Sequence, residues 1–434
     1  MSKNVVIVGG GLAGLAASVY LARAGRTVTI FEKRRHLGGR AITHLRHGFR
    51  FNLGPHVFHK GGSGAQVLRE LGIPVRGGTL KTKGVALVDG GRQTLPLSLW
   101  SLATTRLLSV GEKIELMKLR WRTRKPDAVA DDAMSFGQWL DANVQQPRVR
   151  ALLVAFAQLA TYCAEPERQS ALATLRQLRL TRRGGVYVDE GWQKLVDSLH
   201  GAAVASGVNF VTSSRIVSVD HEGGAVRSIE LGGLDLEDDR SDTLSVAVPL
   251  PAPDGHGTKL KADAVILAID PASARELIGD AATRDWPTLE PVTVACLDVA
   301  LSKLPDPNAT YAVGIDAPHH VAVHSLWAQL APRGGALIHA AKYLRPDDTV
   351  DEGELERLLD ALQPGWRDVV VHRRFLPSMT VTSALPLPGL TRPAATTAVK
   401  GLYLAGDWVG DEGILSDASL ASGRAAAKAI LAES

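Results

Sequence analysis

Residues 5–22 read VVIVGGGLAGLAASVYLA, eighteen residues without a charge, preceded by Lys3-Asn4 and followed by Arg23. About 18 apolar residues is the lower bound for a membrane-spanning helix, and a lysine ahead of an apolar run imitates an export signal. The order of residue types argues against both. Val5, Val6, Ile7 and Val8 are β-branched and suit a buried strand, and Gly9, Gly10 and Gly11 then interrupt any helix. From Leu12 the run is rich in Ala and Leu, which predicts a helix stopping near Gly25. Thr27-Val28-Thr29-Ile30-Phe31 reads as a second buried strand.

The turn between the first strand and the helix holds Gly9, Gly11 and Gly14, the spacing G-x-G-x-x-G. The first glycine permits the tight turn, the second lets a pyrophosphate approach the backbone, and the third lets helix and strand pack closely. The diphosphate then sits at the helix N-terminus, where unpaired N–H groups and the helix dipole favour an anion. Glu32 ends the second strand, eighteen residues after Gly14, placed to accept hydrogen bonds from ribose hydroxyls, with Lys33 beside it. An acid there disfavours a 2′-phosphate, so the ADP-ribose of FAD or of NAD is expected. The fold class is α/β, Rossmann-like, with a parallel sheet.

At 434 residues the chain is too long for one typical core, so two domains are expected. Hydrophobic content of 45% and charged content of 22% are those of a globular protein in water. A net charge of +4 without a concentrated basic tail gives no reason to expect nucleic acid as a partner. Cys163 and Cys296 are the only cysteines and form no C-x-x-C, which fits a reducing cytoplasm. Residues 233–258, acidic and then Pro/Gly-rich, read as a solvated hairpin loop.

After the second strand comes Arg35-His36-Leu37-Gly38-Gly39-Arg40. A plain NAD site has no need of a second glycine pair and an arginine here, whereas a larger dinucleotide does: glycines allow close approach and a guanidinium suits pyrophosphate oxygens. In this segment the sequence resembles the FAD-dependent amine oxidase and phytoene desaturase-like superfamily, in which G-G-R follows the ribose-binding Glu. The resemblance implies a flavin-diphosphate role for Arg40 and backbone roles for Gly38 and Gly39. It continues in Arg50-Phe51-Asn52-Leu53-Gly54-Pro55-His56, similar to the family segment that runs beside the isoalloxazine, with Asn52 in place of the usual acid. Gly54 and Pro55 are thereby assigned to the cofactor, as is Val217, on a strand that in the family lies near the adenine.

The terminal stretch carries the second strong signal. Gly401-Leu402-Tyr403-Leu404-Ala405-Gly406-Asp407 reads as a strand whose Gly406-Asp407 end presents a carboxylate to the ribityl or phosphate region. Ser416, Asp417 and Ala418 open a helix whose N-terminus is expected to face the flavin N1–C2=O edge, where negative charge collects on reduction. The signals at both ends and in the middle make the FAD-binding domain discontinuous, with expected boundaries 1–75, 190–280 and 385–434. Residues 76–189 and 281–384 are left for a second, α+β substrate domain.

Flavin carries the hydride chemistry, so the protein must hold a substrate C–H against it, exclude water and place a base where a proton leaves. His56, in the segment the family places beside the flavin, is the catalytic candidate, as base or as orienting group. His56 and His59 are spaced H-x-x-H but lack a helix and a Glu, so no metal site is expected. Pro318 and polar neighbours make the His319-His320 stretch a predicted surface turn.

Amine oxidases of the superfamily often place an aromatic just before the terminal helix. Alignment with that ending puts Leu415 there, and Pro291–Ala300 holds no lysine where the family's flavin-contacting one is sought. These features favour a small apolar substrate, isoprenoid or carotenoid-like, dehydrogenated or desaturated with FAD. An amine or amino-acid oxidase is the alternative reading, and a non-redox flavin-dependent isomerase or prenyl-binding protein a second. Residues 111–125, GEKIELMKLRWRTRK, mix apolar and basic side chains; they form either a solvated helix or a peripheral contact with the inner face of an anionic membrane. The sequence sets no oligomeric state.

Overall fold

In the computed structural model, residues 3–80, 83–234 and 257–433 are described. The loop expected at 233–258 falls almost wholly outside them. The opening run divides as its residue types require: strand Asn4–Val8, a glycine turn, and helix Leu12–Arg23. The strand is central in a five-stranded parallel sheet. Its order is Asn209–Val211, Thr27–Phe31, Asn4–Val8, Ala264–Leu267, Leu402–Leu404. Val5 pairs with Val28 on one side and with Ala264 on the other. Both faces of such a sheet are covered, which is why a strand such as Ala264–Leu267 is apolar and buried throughout instead of alternating.

Val5, Ile7, Leu15 and Val19 are fully buried, each contributing about 1.5–3 kcal/mol relative to exposure. The helix lies tightly on its own turn, since a Cβ on Gly14 would come 2.1 Å from the Gly9 carbonyl oxygen. It packs equally closely on the C-terminal helix Leu415–Ala432, where a Cβ on Gly423 would come 2.3 Å from the Ala13 oxygen. Among the described residues no helix is long and apolar enough to cross a membrane.

The segments between these strands build a second layer. A seven-stranded sheet runs in the order Val370–Thr382, Val292–Leu301, Ala336–Tyr343, His319–Val323, Tyr311–Gly314, Val85–Val88, Gly91–Thr94. It is antiparallel except where Tyr311–Gly314 pairs with Val85–Val88. Alternation along Val292–Leu301 separates the faces: Leu297, Val299 and Leu301 pack with Leu355, Leu359 and Leu362 of helix Glu352–Leu362. Val294 and Cys296 point the other way, into a cluster with Ala341 and Tyr343.

One expectation changes here and another is met. His319 and His320 are not a surface turn but part of strand His319–Val323, and His320 is buried; the β-branched alternation that follows them outweighs Pro318. The basic segment is helix Val110–Arg122, started by a Ser109/Glu112 capping box. It buries Leu116 and Leu119 and leaves Ile114, Met117 and Trp121 exposed.

Candidate active site

The glycine turn leaves room where a diphosphate is expected. Gly11 caps the first helix, and a Cβ added to it would meet nothing within 4 Å. Gly39, across from it, would meet only the Gly11 Cα at 3.8 Å. The Gly38 amide donates to the Gly10 carbonyl (2.9 Å), so the G-G-R segment is fastened to the G-x-G-x-x-G turn.

Glu32 is buried at the strand end, its Oε2 accepting from the Gly10 N–H (2.8 Å) and its Oε1 from the Arg34 N–H (2.9 Å). Burial raises its pKa, against those two donors. Lys33 beside it is exposed. The strand Ser214–Glu222 begins next to it, with the Ser214 N–H donating to the Glu32 carbonyl (3.0 Å). Val217, 43% exposed, falls in an irregularity between the Ile216–Leu231 and Ser218–Glu230 pairs. An open backbone cradle at a helix N-terminus with a fixed acid at the next strand end fits the ADP half of FAD.

Arg40 and Asp407 meet each other. The guanidinium donates to both carboxylate oxygens, at 2.8 and 2.7 Å, and the buried Asp407 also accepts from the Ser383 N–H (2.8 Å). Burial alone would raise the Asp407 pKa, but Arg40 outweighs it and holds the carboxyl below its usual value. Arg392 donates to the Asp407 and Gly413 carbonyls, fixing the loop that leads to the C-terminal helix. The Gly406 N–H donates to the Ser422 hydroxyl (2.9 Å).

Ser416, Asp417 and Ala418 do occupy the first turn of the C-terminal helix. The Asp417 side chain, however, turns away to helix Ser63–Glu70 and accepts from the Gly64 N–H (2.7 Å). Burial raises its pKa to about 6. His59 faces this carboxylate at 4.0 Å, whereas His56 Nδ1 lies 3.1 Å from the Gly54 carbonyl. The H-x-x-H pair thus splits between two partners.

The Gly54-Pro55-His56 segment lies on the inner face of the seven-stranded sheet. A Cβ on Gly54 would overlap Met379 and come 3.8 Å from Cys296 Cβ, and the Tyr162 hydroxyl donates to the Pro55 carbonyl (3.1 Å). The His56 ring packs edge-on to Trp192 (4.8 Å), and burial lowers its pKa to about 4. Asn52 has a structural task in place of the usual acid: its Oδ1 accepts from the Trp192 N–H (2.9 Å) and the Thr43 hydroxyl (2.8 Å). Leu415 enters the C-terminal helix at φ +58°, an uncommon conformation for a bulky residue.

Sequence reasoning missed a buried network on this face. Asp298, fully buried, lies 2.6 Å from His339 Nδ1, accepts from the Cys296 thiol (3.0 Å), and is held by Arg374 through Nε (3.1 Å) and Nη2 (2.5 Å). Burial would raise its pKa, but His339 and Arg374 together hold it well below the carboxylate range. Arg374 also donates to the Asn52 carbonyl, which ties the network to the segment that carries Gly54, Pro55 and His56. The available signal was a single charge inside VTVACLDVAL, an otherwise uncharged strand.

The family model of flavin containing amine oxidoreductases matches residues 12–431. The chain belongs to this family. Its members' cofactor is FAD, and the chain is an FAD-dependent oxidoreductase of the amine oxidase family. An oxidoreductase from Methanosarcina mazei superposes over 99% of this chain and 100% of its own, at 20% identity and a TM-score of 0.74. A putrescine oxidase bound to putrescine superposes over 100% and 99%, at 16% identity and a TM-score of 0.69. These likenesses establish the amine oxidase fold. A stretch of 57 residues is 39% identical to a 4,4′-diaponeurosporene oxygenase of Staphylococcus aureus, covering 13% of this chain and 12% of that protein.

Proposed function

We propose that this flavoenzyme dehydrogenates or desaturates a largely apolar substrate, of isoprenoid or carotenoid-like character. The observation that carries the reading is the cluster of Val294, Ala341, Leu376, Met379 and Val381 on the sheet face against which Gly54 is seated. Leu415 and the short similarity to an oxygenase of a carotenoid substrate support it. FAD, when bound, supplies the hydride acceptor. Gly9, Gly11, Gly14, Glu32 and Lys33 would hold its ADP half, with Val217 at the adenine; Gly38, Gly39, Arg40, Gly406 and Asp407 would hold the diphosphate and ribityl region. Gly54 and Pro55 would flank the ring, and the backbone of Ser416, Asp417 and Ala418 would face its N1 edge. His56, kept neutral by burial, would serve as base or orienting group.

Anaerobic bleaching of the bound flavin against a panel of polyenes, amines and polar metabolites tests this reading. Polyenes are expected to bleach it; bleaching by amines alone would replace the reading with an amine oxidase.

A peripheral membrane contact is part of the same proposal, since such a substrate resides in lipid. Leu99, Trp100, Val110, Ile114, Met117 and Trp121, on helices Leu99–Thr104 and Val110–Arg122, are six of the ten large exposed hydrophobic residues among those described. That concentration, interleaved with Lys113, Lys118, Arg120 and Arg122, favours an anionic bilayer over water alone.

A further inference from the structure

The inner face of the seven-stranded sheet carries several buried polar atoms that no described protein group satisfies. His339 gives its Nδ1 to Asp298, and its Nε2 has no hydrogen-bond partner. The same holds for both ring nitrogens of His320 and the Tyr343 hydroxyl, and for Nδ1 of His324 in the short helix His324–Leu326 that follows strand His319–Val323. The His324 ring lies 4.3 Å from that of His339, and the His320 ring 5.3 Å from Tyr311. Leaving one buried polar group unpaired costs about 1–3 kcal/mol. Several together, beside the segment assigned to the flavin, mark a place where a polar partner would be satisfied.

Charge narrows the partner. His339 Nδ1 lies 2.6 Å from the Asp298 carboxylate, which holds the ring in one orientation and leaves Nε2 as the hydrogen-bonding atom without a partner. Arg374 already neutralises that carboxylate. Burial lowers the pKa of His320 to about 3 and that of His324 well below its usual value, so both rings are neutral near pH 7. Cys296, Asp298 and His339 offer three ligand atoms within 4.8 Å of one another. The Arg374 guanidinium on Asp298 opposes a metal cation there, and burial together with Asp298 keeps the Cys296 thiol protonated. A protonated amine meets the same objection, because Asp298 has no charge left to offer it. An uncharged hydroxyl does not.

We propose that His339 is a substrate-binding residue whose Nε2 hydrogen-bonds a hydroxyl group at one end of an otherwise apolar substrate, with Asp298 and Arg374 as positioning residues. The inference rests on reading this sheet face as the substrate site.

The test uses FAD-loaded protein and three probes of one shape: benzyl alcohol, benzylamine (an ammonium at neutral pH) and toluene. Binding is read from the flavin spectrum and from thermal shift. Benzyl alcohol is expected to bind at least tenfold more tightly than either of the others. His339→Asn keeps an N–H for Asp298 but removes Nε2, and is expected to erase the preference while retaining flavin. Equal binding of toluene or benzylamine, no binding of benzyl alcohol, or an unchanged preference in the variant overturns the proposal. The wild-type ranking decides even where the variant does not fold. Flavin content and bleaching by hydrocarbon polyenes report separately on the cofactor and on the apolar-substrate reading.

Discussion

Arg40 and Asp407 stand 367 residues apart in the chain and form a two-point pair, guanidinium to carboxylate, at 2.8 and 2.7 Å. The pair joins the segment after the second strand of the chain to the one after the last. Asp407→Ala strands the guanidinium and leaves the Ser383 N–H without its acceptor, a loss of about 1–3 kcal/mol. The expected outcome is a lower melting temperature and a flavin-to-protein absorbance ratio reduced severalfold. Arg40→Lys keeps the charge but not the two-point geometry, and should fall between. Full flavin content in Asp407→Ala would remove Asp407 from the cofactor site.

Two glycines of one motif should behave differently. Gly11→Ala places its methyl in open space, so the apoprotein should keep its stability within about 0.5 kcal/mol. FAD affinity should nevertheless drop at least tenfold, because the methyl occupies the diphosphate's approach. Gly14→Ala drives a carbon against the Gly9 carbonyl and should destabilise the apoprotein itself by about 1–3 kcal/mol or more. Thermal melts of apoprotein combined with FAD titration separate the two; similar effects on both measurements would remove the distinction.

Asp417 predicts a pH dependence of stability. Its pKa is raised by burial to about 6, above the ordinary value of 3.8 that applies once the chain unfolds. Between pH 4 and 6 the folded state holds the proton that the unfolded state has released, so stability falls as pH rises through that window. The two-unit difference corresponds to at most about 3 kcal/mol. Asp417→Asn keeps the acceptor for Gly64 and cannot ionise. The difference between the wild-type and variant melting temperatures should change across pH 4–6 and level off above it; parallel curves would count against a raised pKa.

The exposed apolar and basic helices give a lipid prediction. Holoenzyme should sediment with vesicles containing anionic lipid, less with neutral vesicles, and less again at 0.5 M salt, a concentration of about 0.5 M being enough to screen surface charge strongly. Trp100→Ala combined with Trp121→Ala should weaken that binding about tenfold or more, since both rings stand well exposed. Binding that ignores lipid charge and both tryptophans would leave a solvated helix as the reading.

The local elements at both ends of the chain were legible because their residue types act at short range. A β-branched run followed by glycines and then an Ala/Leu stretch admits only strand, turn and helix, and strand Asn4–Val8 with helix Leu12–Arg23 follows that order. The Gly406-Asp407 ending and the helix after it were readable for the same reason. Beyond these, the His319-His320 reading failed because a proline predicts a turn locally, whereas pairing of His320 with Val313 and Ala341 on neighbouring strands decides the matter.

By itself, then, the sequence determined the glycine turn between strand and helix, the acid Glu32 after the second strand and the class of cofactor, all of which lie in contiguous motifs. Only the tertiary structure decided where side chains point. It turned Asp417 toward the Gly64 amide, paired Arg40 with Asp407, and gathered Cys296, Asp298, His339 and Arg374 from three strands into one buried network. No motif announces such a network: taking charges out of water is costly, and the cost is offset only where partners from several strands meet with good geometry, which happens only once the sheet is assembled.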